Sequence, residues 1–223
     1  MVSTGPGGDD LAGMARRDWY RRSTWTTAQR AEFFHRLARC RPHNRALYLR
    51  IQAAALQAAQ PDIALELLDY LLDKHPDPDV LAGAHLDRAR CLEMLDRVLE
   101  ASLAFRAAIA AERAQLGSRA AAPRGFGMFC VRRRLRSQYR DAIAALDEFE
   151  QSHPSHFASD QYQVCAIRAL VAQDEGQITV ARAMAAKALA AARAREPGRR
   201  QHATATGMEP DPAIHRRLEL LAG

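Results

Sequence analysis

The chain contains 223 residues, of which 48% are hydrophobic, and its formal net charge is +6. This hydrophobic content is ample for a core and excludes a chain that is disordered throughout. Alanine and leucine number 45 and 24, whereas valine, isoleucine and threonine together number 21. Because alanine and leucine favour helices and β-branched residues favour strands, the composition predicts an all-α fold.

No stretch of the sequence has the length and hydropathy of a membrane-spanning helix. The longest stretch without a charged residue runs from 51 to 61, which is eleven residues, whereas a spanning helix needs about 20 apolar residues. The first fifteen residues have neither the basic start nor the apolar run of a secretory signal. These features predict a cytoplasmic protein.

The cysteines also favour a reducing compartment. They are Cys40, Cys91, Cys130 and Cys165, which lie 51, 39 and 35 residues apart. Because no two have C-x-x-C spacing, reduced thiols are favoured over two disulfides. The sequence also has no zinc-finger spacing, so we expect neither a bound metal nor another cofactor.

Four segments are predicted along the chain. Thr26 and Gln29 have the spacing of a capping box, which predicts the start of a helix that ends near Cys40. The segments are a disordered tail (1–15), an aromatic N-terminal segment with a capping helix (16–43), helical repeats (44–195), and a C-terminal tail with a short helix (196–223). The aromatic residues Trp19, Tyr20, Trp25, Phe33 and Phe34 are expected to cover the open face of the first hairpin, with a dimer contact as the alternative.

The first predicted hairpin joins two helices on either side of Pro61. Pro61 suits the first turn of the second helix because a proline there removes no helical hydrogen bond. The recurring apolar residues of the first helix are Leu47, Tyr48, Ile51 and Ala55.

One pattern recurs four times in the second helices of the predicted hairpins. A small residue is followed four positions later by an apolar one, and then by a second small or apolar residue. The first residues of successive copies lie 37, 41 and 39 positions apart, which predicts four helical hairpins. A non-repetitive helical bundle is the alternative. The copies are Ala64, Leu68 and Leu71; Ala101, Phe105 and Ala108; Ala142, Leu146 and Phe149; and Ala181, Ala185 and Ala188.

These residues resemble the tetratricopeptide repeat (TPR) family. Pro76 and Pro154 each lie 12 positions after the first small residue of a copy, where the family's unit-ending proline lies, and Asp96 and Gly176 occupy predicted turns. The Trp and Leu-Gly signature of the family is missing, and the spacing exceeds its usual length of about 34 residues. The resemblance implies antiparallel helical hairpins stacked as a short right-handed solenoid of about four repeats with an N-terminal capping helix. The stretches DWYRRSTW, AEFFHRLARCR and ALYLRIQAAAL are also similar to uncharacterised bacterial repeat proteins, a resemblance that implies no activity.

Positive charge is concentrated in one part of the chain. Between residues 113 and 140 there are eight basic residues and no acidic ones. On a continuous helix Arg132 and Arg136 would share a face, with Leu135 and Tyr139 turned inward. The sequence therefore predicts a basic face on the third hairpin. The alternative is a solvated face that pairs with the acidic hairpins before and after it.

No motif of catalytic chemistry is found in the sequence. A nucleophile elbow, a Walker loop, an H-E-x-x-H zinc motif and a dinucleotide-binding fingerprint are all missing. His85 lies on an apolar helical stripe, which favours a core or interfacial histidine over a catalytic base. We therefore expect that the protein is not an enzyme.

The predicted function is that of a protein-interaction scaffold or adaptor. Stacked hairpins present a concave surface, formed mainly by the first helix of each pair, that suits an extended or helical segment of a partner. Because arginine pairs with carboxylates, the expected partner is an acidic peptide or protein segment. Leu49, Ala53 and Leu56 are expected to line one end of this surface. The predicted partner-binding residues are Arg90, Glu93, Arg132, Arg133, Arg134, Arg136 and Gln173.

Two other functions stay open at this point. Nucleic-acid binding is favoured by the sequence pI of about 9.5 and by the arginine cluster. It is opposed by the acidic hairpins and by the lack of aromatic residues among those arginines. An immunity-type or regulatory protein that inhibits a partner enzyme differs from the scaffold only in its partner.

Overall fold

The computed structural model describes residues 19–115, 121–152, 157–194 and 211–223. Within these ranges the chain forms ten α-helices and one short 3-10 helix, and no strand. The predicted all-α fold is therefore confirmed. The chain divides into two compact units, unit 1 (1–118) and unit 2 (119–223). The predicted tail over 1–15 and the repeat-ending Pro154 lie outside the described residues.

The described part of unit 1 contains five helices joined by short connections. Because these connections are only a few residues long, consecutive helices of a hairpin run antiparallel. The second to fifth helices pack in sequence, and the second also contacts the fourth. The helices are α1 (Thr27–Arg39), α2 (Pro42–Leu56), α3 (Pro61–Lys74), α4 (Pro78–Met94) and α5 (Val98–Ala114).

The N-terminal segment before α1 is attached to α2 by a buried side chain. Thr26 and Gln29 form the predicted capping box at the start of α1. Gln52 of α2 is completely buried. Its Oε1 accepts a hydrogen bond from the Arg22 backbone N–H at 3.1 Å, and its Nε2 donates to the Arg22 carbonyl at 2.7 Å. One amide side chain therefore satisfies both backbone groups of Arg22.

The buried stripe of α2 differs from the predicted one. Leu47, which was predicted to lie on that stripe, is 43% exposed, whereas Leu49 is completely buried. The reason is that α2 places Gln52 in the interior, where its amide is fully used. A prediction based on large apolar residues alone does not include Gln52, because glutamine is polar. The buried residues of α2 are Ala46, Leu49, Gln52, Ala53 and Leu56.

Unit 2 contains the other five helices. The first two pack as a pair, the third contacts both of them, and the last contacts the third and the fourth. The helices are α6 (Ala122–Arg133), α7 (Tyr139–Ser152), α8 (Ala158–Asp174), α9 (Ile178–Arg193) and α10 (Pro212–Ala222), with the 3-10 helix Arg136–Gln138 before α7. The small and apolar residues of all four copies of the repeated pattern are buried in the two units.

The hairpins α4–α5 and α8–α9 have the same turn, 80 positions apart in the sequence. Asp96 and Gly176 adopt left-handed backbone conformations, with φ of 58° and 79°. The next residue of each turn donates its N–H to a carbonyl five positions earlier, from Arg97 to Leu92 at 2.9 Å and from Gln177 to Ala172 at 2.8 Å. A left-handed residue followed by this bond is the usual Schellman ending of a helix.

The first helices of successive hairpins meet differently in the two units. In unit 1, Arg50 of α2 donates from Nε to Oδ2 of Asp87 of α4 at 2.8 Å. Its guanidinium lies so close to Gly83 that an added Cβ would stand 2.2 Å from Arg50 Cζ. In unit 2, an added Cβ at Gly127 of α6 would stand 2.8 Å from Cδ1 of Ile167 of α8. A glycine therefore permits the close approach in both units, to an ion pair in one and to an apolar side chain in the other.

None of the helices in the described ranges combines the length and the apolar character needed to cross a membrane. The four cysteines all lie in described helices or next to them, and all are free. Cys91 and Cys130 are buried. Burial raises the pKa of the Cys91 thiol to about 11, so this thiol is protonated near neutral pH.

Candidate protein-interaction site

The arginine cluster of unit 2 lies at a helix end and does not form one helical face. α6 ends at Arg133, and Arg134 adopts the left-handed conformation with φ of 52°. The N–H of Leu135 then donates to the Cys130 carbonyl at 2.9 Å, which closes the helix. The prediction that Arg132 and Arg136 share a helical face is therefore wrong. The cluster is an exposed arginine turn, made of Arg132, Arg133, Arg134 and Arg136.

The arginine turn leads directly into an open groove of about 640 Å³ between α7, α8 and α9. Tyr139 and Arg140, at the start of α7, line the groove, and Arg140 is exposed. The apolar residues of the groove are Ile143, Ala144, Val171, Ala172, Val180 and Met184. The groove thus has an apolar wall that continues into a positively charged turn.

One of the acidic side chains of the groove, Asp147, has a basic partner. Arg168 of α8 donates to Oδ1 of Asp147 at 2.6 Å and also to Oε2 of Glu150. Asp147 and Arg168 both line the groove. Glu175 also lines the groove, so the two arginines of the lining, Arg140 and Arg168, are matched by two carboxylates, Asp147 and Glu175. The positive charge next to the groove is therefore that of the arginine turn at its entrance.

A second network, which the sequence analysis missed, connects the start of α7 with the end of α8. The buried Tyr139 donates its hydroxyl to Oδ2 of Asp174 at 2.6 Å, and Arg217 of α10 lies 3.7 Å from Oδ1 of the same carboxylate. Burial, and then the hydrogen bond to Asp174, raise the pKa of Tyr139 far above its usual value, which keeps the phenol protonated as a donor. The only sequence signal was the inward position predicted for Tyr139, because its partners are 35 and more positions away.

Gln173, a predicted partner-binding residue, contributes to the same junction. Its Oε1 accepts a hydrogen bond from Nη2 of Arg217 at 3.0 Å. This contact helps to hold α10 against the end of α8. The structure therefore brings Gln173 near Tyr139 and Asp174, on the side of the groove where the arginine turn enters.

The other predicted residues, Arg90 and Glu93, lie on α4 in unit 1. Arg90 and Arg50 both contact the carboxylate of Asp87, at 3.4 and 2.8 Å, and Asp87 has only 8% of its side chain exposed. Glu93 is partly exposed one turn further along α4. These residues form a charged patch on α4 of unit 1.

Leu49, Ala53 and Leu56 do not line a surface, contrary to the prediction. All three have an exposed fraction of 0%. They pack inside unit 1 because α2 is covered by α3 and α4. The face of α2 toward α4 instead presents Arg50.

The described residues contain no group of three or more His, Cys, Asp or Glu side chains arranged to hold a metal ion. Comparison with protein families, curated proteins and solved structures finds no match to this chain.

Proposed function

We propose that the protein is an interaction module that binds an acidic segment of another protein in the groove of unit 2. The observation that carries this proposal is the continuity between the apolar groove and the arginine turn. Apolar side chains of a partner can enter the groove while its carboxylates pair with the guanidinium groups at the entrance. This role needs no chemical step, and we propose binding rather than catalysis.

We further propose that the hairpins are degenerate TPR-like repeats of a short solenoid. The identical turns of α4–α5 and α8–α9 support this proposal, as do the contacts between first helices of successive hairpins within each unit. Repeats of this kind use the same backbone unit several times and vary the exposed residues. Binding would then depend on the exposed residues, and the buried small residues would serve only the packing.

Exposed arginines are better explained by binding than by stability. Exposed ion pairs contribute about 0–1 kcal/mol to folding, whereas truncating a charge that is buried in an interface costs about 2–5 kcal/mol of binding free energy. A variant of the arginine turn should therefore separate the two roles. Its stability should change little if the turn is a binding surface.

The test uses two synthetic peptides with the same spacing of leucines, one with glutamates and one with lysines between them. We expect the glutamate peptide to bind the wild-type protein and the lysine peptide to bind at least tenfold more weakly. The variant R132Q/R133Q/R134Q/R136Q should lower the affinity for the glutamate peptide at least about 30-fold, from the energy of one truncated interface charge. Fluorescence anisotropy measures both affinities, and circular dichroism measures the melting temperature.

The groove is tested separately by Val180→Gln, because Val180 is 46% exposed and lines it. This variant should lower the affinity for the glutamate peptide without changing the helix content of the protein. Equal binding of both peptides, or full binding by the two variants, would show that this surface is not the site. A quadruple variant that loses thermal stability but keeps its affinity would make the arginine turn structural.

A further inference from the structure

The N-terminal surface of unit 1 combines positive charge with aromatic rings. Residues 19–50 contain eight arginines and a single acidic residue, Glu32. Glu32 already pairs with two of these arginines, Arg22 at 2.5 Å and Arg36 at 2.6 Å. The remaining positive charge of this surface is therefore not balanced by its own residues.

The aromatic residues form a connected cluster that is only partly covered. Tyr20 and Tyr48 have ring centroids 4.6 Å apart and ring planes inclined by 31°, and Trp19 contacts both rings. Trp25 contacts Phe33. Of these five, only Phe33 is buried, at 1% exposure. The other four rings keep part of their surface accessible to a ligand.

Arginines lie on or beside these rings. The Arg21 guanidinium is 5.5 Å from the centroid of Tyr20, and the Arg30 guanidinium is 5.8 Å from the centroid of Phe34. Both arginines are exposed, as are Arg39 at the end of α1 and Arg41 before α2. Charge and aromatic rings are therefore interleaved on this surface.

We infer that this surface binds single-stranded nucleic acid, with phosphates on the exposed arginines and bases against the partly exposed rings of the aromatic cluster. An acidic protein segment would use the guanidinium groups but would leave the ring faces without a planar partner. A single strand uses both, because each nucleotide carries a phosphate and a planar base. A duplex hides the base faces and therefore fits less well.

The acidic face of α3 limits the surface on one side. Tyr70 of α3 contacts Phe34 of α1, with ring centroids 5.3 Å apart, and Asp69 and Asp73 of α3 are exposed nearby in sequence. Asp69 pairs with Arg88 at 2.6 Å and Asp73 pairs with Lys74 at 2.9 Å, so these residues add no excess positive charge for a phosphate. The expected path of the strand therefore follows α1, the segment before it and the start of α2.

Trp19 and Trp25 make the test direct, because they are the only two tryptophans of the chain and both belong to this cluster. A base that stacks here should change the tryptophan fluorescence of the full-length protein. The probes are oligodeoxythymidylate and oligouridylate of about 20 nucleotides, which exceeds the usual site of about 4–16 nucleotides. Both should bind, and the tighter of the two identifies DNA or RNA as the source.

The arginines are tested with R21Q/R30Q/R39Q/R41Q, and the matched control is R132Q/R133Q/R134Q/R136Q, which removes the same charge from unit 2. Each phosphate contact to a single strand adds about 0.7 to the slope of log affinity against log salt. The N-terminal variant should therefore lower that slope by about 3 and weaken binding on the order of 100-fold at about 0.1 M salt. The control variant should leave the slope unchanged.

The rings are tested with Tyr48→Leu, which removes a stacking surface and no charge. We expect its affinity to fall on the order of tenfold with the salt slope unchanged. The inference is wrong if neither strand alters the tryptophan fluorescence, if both quadruple variants lose affinity equally, or if a duplex or polyglutamate binds as tightly as the single strand. Because the peptide test concerns unit 2, the two proposals can fail independently.

Discussion

The hairpins α4–α5 and α8–α9 share their turn and their buried positions, but their first helices use opposite chemistry against the preceding hairpin. Asp87 and Ile167 stand 80 positions apart, at equivalent places in α4 and α8. Asp87 faces Arg50, and Ile167 faces Gly127. The same repeated backbone therefore accepts either an ion pair or an apolar contact between the first helices of successive hairpins. The ion pair is accepted because each buried charge has a partner.

The largest expected effect comes from exchanging these two residues. Ile167→Asp places a carboxylate where the exposed fraction is 0% and should cost more than about 4 kcal/mol of unfolding free energy. Asp87→Ile should cost only about 1–2 kcal/mol, because Arg50 and Arg90 have 36% and 41% of their side chains exposed and can turn to solvent. Urea unfolding measures both.

Ile167→Val is the control for a change of volume at that position, with an expected cost of about 0.5–1.5 kcal/mol. If Ile167→Asp and Asp87→Ile cost the same, the two interfaces do not differ in the way that the structure indicates.

A smaller effect is expected at the turns. Gly176→Ala meets no atom within 4 Å of the new Cβ, so its cost is that of the left-handed backbone, about 1–2 kcal/mol. Asp96→Ala should cost less, because Asp96 already carries a Cβ in the same conformation. Thermal unfolding of the two variants compares these costs. A larger loss for Asp96→Ala would mean that its side-chain contacts dominate the turn.

The smallest effect concerns pH. Burial, and then the charge of Arg88, lower the pKa of His85 below its usual value of 6.5. Below pH 6.5, His85 is therefore protonated more readily in the unfolded chain than in the folded chain. The contribution of His85 to stability is complete above pH 6.5 and is lost as the pH falls, with a slope of at most about 1.4 kcal/mol per pH unit. His85→Gln should reduce the loss of unfolding free energy that occurs as the pH falls below 6.5.

The equivalent position in α8 is Cys165, whose pKa is raised by burial from 9.0. Above pH 9 the unfolded chain loses this proton more readily, so Cys165 lowers stability on the alkaline side instead. Unfolding curves between pH 5 and pH 8 that are identical for wild type and His85→Gln would contradict the assignment to His85.

The helices could be predicted from the sequence because small and large apolar residues recur at helical spacing, as in Ala101, Phe105 and Ala108, all of which are buried. Local signals also identified the capping box at Thr26 and the turn at Gly176. These features depend on residues close together in the chain.

The site was less predictable because its geometry depends on distant residues and on one backbone conformation. The left-handed Arg134 ends α6 where a continuous helix was assumed. The contact between Tyr139 and Asp174 joins residues 35 positions apart. The burial of Leu49 depends on how α3 and α4 cover α2, which no periodicity within α2 reveals.

The side-chain amide of Gln52 binds the Arg22 peptide group as a neighbouring β-strand would, with one donor and one acceptor. This contact adds to the Arg22–Glu32 ion pair and to the ring contacts of Trp19, and none of these is a bond of the helical ladders. Release of the segment is consequently a local opening with its own free energy, below that of unfolding α2 to α5. The Arg22 amide hydrogen is released when the contact with Gln52 opens, so its exchange rate measures how often the segment around Arg22 leaves α2.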